Sequence, residues 1–136
     1  PDGTWTLNTQ GSDSLLSVAY GNGYWVVAGY NGAINYKAGT PDGTWTLTKQ
    51  GSILLSGVTY GNGYWVAVGD SGALYYKAGT PSGTWTSNKQ GIIHLSGVSS
   101  GNGYWIAFGT SGACLIAGVS VPTIPVDGAY AYIRAK

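Results

Sequence analysis

The sequence predicts an all-β fold of three tandem four-stranded units, and three observations point there. Tyr-Gly-Asn-Gly-Tyr-Trp at Tyr20–Trp25 returns at Tyr60–Trp65 and, with Ser for its first Tyr, at Ser100–Trp105. Gly-Thr-Trp-Thr keeps the same 40-residue beat at Gly3–Thr6, Gly43–Thr46 and Gly83–Thr86. A fixed period of this size marks a repeat architecture. The third observation is composition. Among 136 residues there are 24 Gly, 6 Trp and 11 Tyr, and only 8% are charged. That is the opposite of the aromatic-poor, highly charged pattern of disorder, and it suits sheets joined by tight turns.

The first unit sets the pattern. Leu15–Tyr20 alternates apolar and polar residues and reads as a strand. Asn22-Gly23 before a β-rich run is a hairpin signal. Tyr24–Ala28 is the second strand, Gly29-Tyr30-Asn31-Gly32 a second turn, and Ala33–Lys37 the third strand. Ala38–Gly43 makes a third turn, with Pro41 fixing φ and Gly43 accepting a positive one. Thr44–Lys49 is the fourth strand, and Gln50-Gly51-Ser52 leads into the next unit. No stretch free of Gly and Pro carries the i, i+3, i+4, i+7 spacing of a helix.

The ends depart from the pattern. Trp5–Thr9 reads as an outer strand that precedes its unit. In the third repeat Tyr75 and Tyr76 become Leu115 and Ile116, and the Lys-Ala-Gly-Thr ending becomes Ala117-Gly118-Val119-Ser120. Cys114–Ala117 is apolar on both faces, which predicts cover on both sides. Residues 1–120 therefore form a three-repeat domain. Residues 121–136 supply a connector stiffened by Pro122 and Pro125, then a last strand within Gly128–Lys136.

Three blades are fewer than the four to eight that usually close a propeller. Three solutions remain: a ring completed by other copies of the chain, a part of a larger propeller, or a closed monomer of β-trefoil or β-prism type. The phase favours propeller blades and a ring completed by oligomerisation, because the chain opens on an outer strand and lacks one after its third repeat. The first residue is Pro1 rather than Met, so we expect a processed chain or an excerpt.

Charge and composition narrow the partners. The net charge is +1 with no basic stripe, so no nucleic-acid partner is expected. The apolar runs fall well short of the ~20 residues that span a bilayer, so no membrane insertion is expected. One Cys precludes an intrachain disulfide, and one His makes a metal site or cofactor unexpected.

Units of the form Val-x-Tyr-Gly-Asn-Gly-x-Trp-Val-Ala-Val-Gly-x-x-Gly-x-Leu-Tyr … Gly-Thr-Trp-Thr resemble blades of the sialidase-like β-propellers, the BNR or Asp-box repeats. The resemblance covers Leu15–Leu47, Leu55–Ser87 and, in part, Leu95–Ala117. The box, Ser-x-Asp-x-Gly-x-Thr-Trp, corresponds to Thr40–Trp45 and Thr80–Trp85, each two residues shorter, the second with Ser82 for Asp. Repeats of this wording resemble those of bacteriophage tail and bacterial surface proteins, and Ala129–Lys136 resembles the last strand of phage structural proteins. The resemblance implies blades and an extracellular or virion location. It does not carry activity over. Sialidases use an arginine cluster and a Tyr–Glu pair with an Asp, whereas this chain has Arg134 alone and no Glu.

The expected function is thus a non-enzymatic binding or structural module of a phage tail or surface appendage, recognising a host glycan or receptor. The rival readings are a glycan hydrolase with Asp13 or Asp70 as its acid, and an architectural oligomer without a ligand. Asp2 and Asp42 occupy one turn position in successive repeats and are expected to shape it. Hairpin turns alternate between the two ends of a blade, so the 21–23 and 41–43 turns share one end. The 30–32 turn and the 50–52 connection share the other, whose loops vary from repeat to repeat. Recognition is expected there, at Tyr30, Asn31, Asp70, Ser71, Thr110, Ser111, Asp13 and His94. Trp25, Trp65 and Trp105 in second strands, with Trp5, Trp45 and Trp85 in outer strands, are expected to pack between blades.

Overall fold

The computed structural model describes residues 2–118. Their strands follow the repeat. The first unit holds β1 (Leu15–Gly21), β2 (Tyr24–Gly29), β3 (Ala33–Ala38) and β4 (Thr46–Lys49). The second holds β5 (Leu55–Gly61), β6 (Tyr64–Gly69), β7 (Leu74–Ala78) and β8 (Thr86–Ser87). The third holds β9 (Leu95–Gly101), β10 (Tyr104–Gly109) and β11 (Cys114–Gly118). Each unit is its own antiparallel meander, and the third lacks a fourth strand among the described residues.

The turns explain the meanders. Asn22 and Gly23 both have positive φ, 48° and 78°, the mark of the type I′ turn whose twist matches the flanking strands. The second connection differs from the expected hairpin loop. It is a single 3-10 turn at Tyr30–Gly32, Asp70–Gly72 and Thr110–Gly112, with Asn31, Ser71 and Ser111 at φ of 55°, 55° and 58°. Among the described residues there is no α-helix.

The core lies between sheets, not within one. Val26, Ala28 and Ile34 of the first unit meet Leu55, Val58, Trp65, Ala67 and Trp85 of the second. On the other face of that second sheet, Val66 and Val68 meet Leu95 and Ala107 of the third, with Trp105 and Leu115 alongside. The middle sheet is thus buried on both faces. The blades key together at glycines: the Tyr60 ring lies on Gly21 and the Ser100 side chain on Gly61, leaving no room for a Cβ at either. Hydrogen bonds cross the same seams, with Val58 N donating to Ser17 Oγ (3.1 Å) and Ser56 Oγ to Leu95 O (2.7 Å).

Two expectations change. Trp5–Thr9 forms no strand in any sheet of the described residues. Cys114–Ala117 is not covered on both sides: Cys114 and Ile116 are exposed, because alternate residues of the strand face away from the described blades. Buried Trp105 Nε1 has no partner among the described residues. Its counterparts Trp25 and Trp65 donate to Gly39 O and Gly79 O. The expected connector and last strand, residues 121–136, lie outside the described residues.

Candidate functional site

The two ends of the blades separate as the topology requires. Tyr30 N donates to Ser14 O (2.9 Å), Asp70 N to Leu54 O (3.0 Å) and Thr110 N to His94 O (3.1 Å), tying each 3-10 turn to the loop that enters its blade. At the other end Gly39 N donates to Gly23 O (2.9 Å). Asp42 shapes its turn there, its carboxyl held below 3.8 by a hydrogen bond from Thr40. All eight expected site residues therefore sit at the 3-10-turn end, where they form two clusters and a remainder.

The first cluster belongs to blade 1. Asp13 accepts from Asn31 Nδ2 (2.7 Å) and from Lys49 Nζ (2.7 Å). The Lys49 hydrogen bond, then that of Asn31, holds the Asp13 carboxyl below its ordinary 3.8. The second cluster is Asp70 with His94, in contact through Oδ1 and Nδ1 across the seam between blades 2 and 3. His94 is therefore not an isolated surface residue. Tyr30, Ser71, Thr110 and Ser111 are exposed and join neither cluster. Among the described residues no three His, Cys, Asp or Glu side chains gather as a metal site would need.

Beside the first cluster the repeat is broken in an informative way. In blade 2 the Tyr75 hydroxyl lies against Gly51, filling the space beneath the incoming loop. Blade 1 has Asn35 at the same repeat position. Leu47 lies over Gly11 there, and beside it is a cavity of about 360 Å³ lined also by Gln10, Ser12, Asp13, Asn35, Thr48 and Lys49. Asn35 is only 4% exposed; its Oδ1 accepts from Thr48 N (3.3 Å). The cavity thus offers a carboxylate, an ammonium, hydroxyls and amides at fixed positions. Sequence reading found Asp13 and Asn31 but missed Gln10, Asn35, Thr48 and Lys49. The available signal was the Asn35/Tyr75/Leu115 series at one repeat position.

No protein-family model and no curated protein matches the sequence. Among solved structures the chain is similar to the WD40 β-propeller domain of Doa1, with a TM-score of 0.59 at 15% identity. The match covers 82% of this chain and spans 39% of the length of that one. The likeness establishes the β-propeller fold and sets the β-trefoil and β-prism alternatives aside. No helix among the described residues is long and apolar enough to cross a membrane.

Proposed function

We propose that the chain is a non-enzymatic binding module of a phage-tail or surface appendage. It recognises a hydroxyl-rich ligand, a host-surface glycan or glycosylated receptor, at the 3-10-turn end of its blades. The observation that carries this reading is the polar cavity lined by Asp13, at the blade where Asn35 stands in place of Tyr. Ligand sites pair an apolar wall with a few fixed polar groups. Leu47 supplies the wall, and Asp13, Lys49, Asn35 and Thr48 supply acceptors and donors spaced for sugar hydroxyls.

The chemistry of Asp13 favours binding over hydrolysis. A glycosidic acid must carry a proton near neutrality. Lys49 and Asn31 do the reverse, keeping Asp13 an anion that accepts hydrogen bonds. The shortened Asp-box-like turns fit the same reading: a sialidase-like blade shape kept, with neither a Glu nor an arginine cluster beside it. The extracellular or virion setting is part of the proposal.

The test uses the repeat's own residue. Asn35→Tyr puts the blade-2 residue into the cavity, and circular dichroism checks that the variant keeps its fold. On a glycan array that includes bacterial capsule and cell-wall fragments, the unaltered chain binds a subset and Asn35→Tyr does not. Release of reducing ends from any bound glycan would replace this reading with the hydrolase. Equal binding by both proteins removes the cavity as the site.

A further inference from the structure

We infer that a second copy of this chain completes the third blade: residues Gly3–Thr9 of one copy add as the outer strand beside β11 of the other. The reciprocal exchange closes a two-chain ring of six blades, within the usual range for propellers. The inference stands on observations separate from the ligand reading.

The first observation is an empty place. Between blades 2 and 3 lies an apolar groove of about 640 Å³, lined chiefly by Val66, Leu74, Tyr76, Trp105 and Leu115. Between blades 1 and 2 the same place is filled by Trp85, only 3% exposed, carried by the approach to β8. Blade 3 has no fourth strand among the described residues to bring such a Trp. Eighty residues before Trp85 stands Trp5, in the same Gly-Thr-Trp-Thr, 82% exposed, with Leu7 beside it 91% exposed.

The second observation is a repeated clamp. Gln50 Nε2 donates to Gly83 O (3.2 Å) while its Oε1 accepts from Trp85 N (3.0 Å). Gln10 makes the same pair with Gly43 O (3.2 Å) and Trp45 N (3.1 Å). Gln90 occupies the third such position at the rim of the groove, and its Nε2 turns instead to Asn88 O (3.1 Å). The groups its position calls for are the Gly3 carbonyl and the Trp5 amide.

The third observation is continuity with the seams already formed. Leu15, Val18 and Tyr20 are exposed on blade 1, yet they are the counterparts of Leu55, Val58 and Tyr60, which face blade 1 from blade 2. Ile106, Phe108 and Ile116 are exposed on blade 3 and are the counterparts of Val66, Val68 and Tyr76, which face blade 3 from blade 2. The chain thus bares the two halves of its own internal seam. Tyr60 sits on Gly21, and Gly101, the matching slot on blade 3, has open space above it to receive Tyr20.

Residues 3–9 of the same copy do not reach β11. Asn8 and Gln10 are held at Gly43 in blade 1, two blades from β11. A strand that crosses between copies also covers the bare edge of each sheet, the usual hazard of an unpaired strand, and the exchange is self-complementary about a two-fold axis. Blade 1 gives the register: Ile34 opposes Thr48, Asn35 Leu47 and Tyr36 Thr46. By repeat position, Cys114 then opposes Asn8, Leu115 opposes Leu7 and Ile116 opposes Thr6.

This register makes the native Cys114 a reporter. Directly opposed residues of an antiparallel pair have Cα atoms about 4.5–5.5 Å apart, within disulfide reach. Full-length Asn8→Cys is oxidised with glutathione and run on a non-reducing gel. The expected product is a covalent species of twice the 14.0 kDa chain mass with no free thiol. Thr9→Cys, whose side chain points to the other face, and the unaltered chain give little of it. Trp5→Ala, at a side chain 82% exposed in the single chain, weakens association at least about tenfold, as loss of a buried aromatic anchor does. Asn8→Cys chains that stay single, with thiols free or internally paired, overturn the inference. So does unchanged association in Trp5→Ala. An edge closed by residues beyond 118 of the same chain gives the first of these results.

Discussion

Replacing Gln50 by Ala tests how the blades are tied. Gln50 is buried and reaches from the end of blade 1 to two backbone groups of blade 2, Gly83 O and Trp85 N. Each net hydrogen bond contributes about 0.5–1.5 kcal/mol, and a buried donor left unpaired costs about 1–3 kcal/mol. The Trp85 amide lies in the buried part of the seam, where water does not replace the lost acceptor, so we expect Gln50→Ala to cost about 2–3 kcal/mol. Gln10→Ala removes the same two bonds from a more open site, where water substitutes, and should cost under about 1 kcal/mol. Urea unfolding followed by Trp fluorescence, at one fixed protein concentration, reads both. With a slope of about 1–3 kcal/mol/M, Gln50→Ala lowers the midpoint by about 0.7–3 M. Equal midpoints for Gln50→Ala and Gln10→Ala would show that the clamp is not what joins the blades.

Trp65 is fully buried and donates Nε1–H to Gly79 O (3.0 Å), so Trp65→Ala should cost about 3–5 kcal/mol by calorimetry, well above the half-buried Trp25→Ala. At Gly69 a Cβ would overlap the Leu54 carbonyl, backbone that cannot swing aside, so Gly69→Ala should lose the cooperative unfolding transition. Asp13 should titrate by NMR with a midpoint below 3.8, and Lys49→Ala should move it upward. Because the folded value is the lower one, the stability Asp13 adds is present above its ordinary value and lost only as pH falls through the folded one. Acid weakening from this site is therefore confined to pH below about 4.

The strands were legible because Asn-Gly and Pro-x-Gly turns fix where a meander reverses, and alternation then decides which residues face a seam. The division of the loops between two ends followed from strand parity alone, and the structure keeps it. What the sequence hid depends on comparing blades in space. Asn35 reads as an ordinary strand residue until Tyr75 is seen filling the same place in the next blade. Lys49 reads as a strand terminus until it meets Asp13 across 36 residues. Reading β11 as covered was right about its apolar character and wrong about the chain, since Cys114 and Ile116 face outward. The expected strand at Trp5–Thr9 failed likewise: a strand needs a neighbouring edge, and none of the three described sheets includes it.

Sedimentation equilibrium of the full-length chain at micromolar concentration, with Trp5→Ala alongside, bears most directly on a propeller built from three-bladed halves. The account predicts twice the 14.0 kDa chain mass for the unaltered protein and a shift toward the single-chain mass for Trp5→Ala. A single-chain mass for both, with the fold intact, would contradict it.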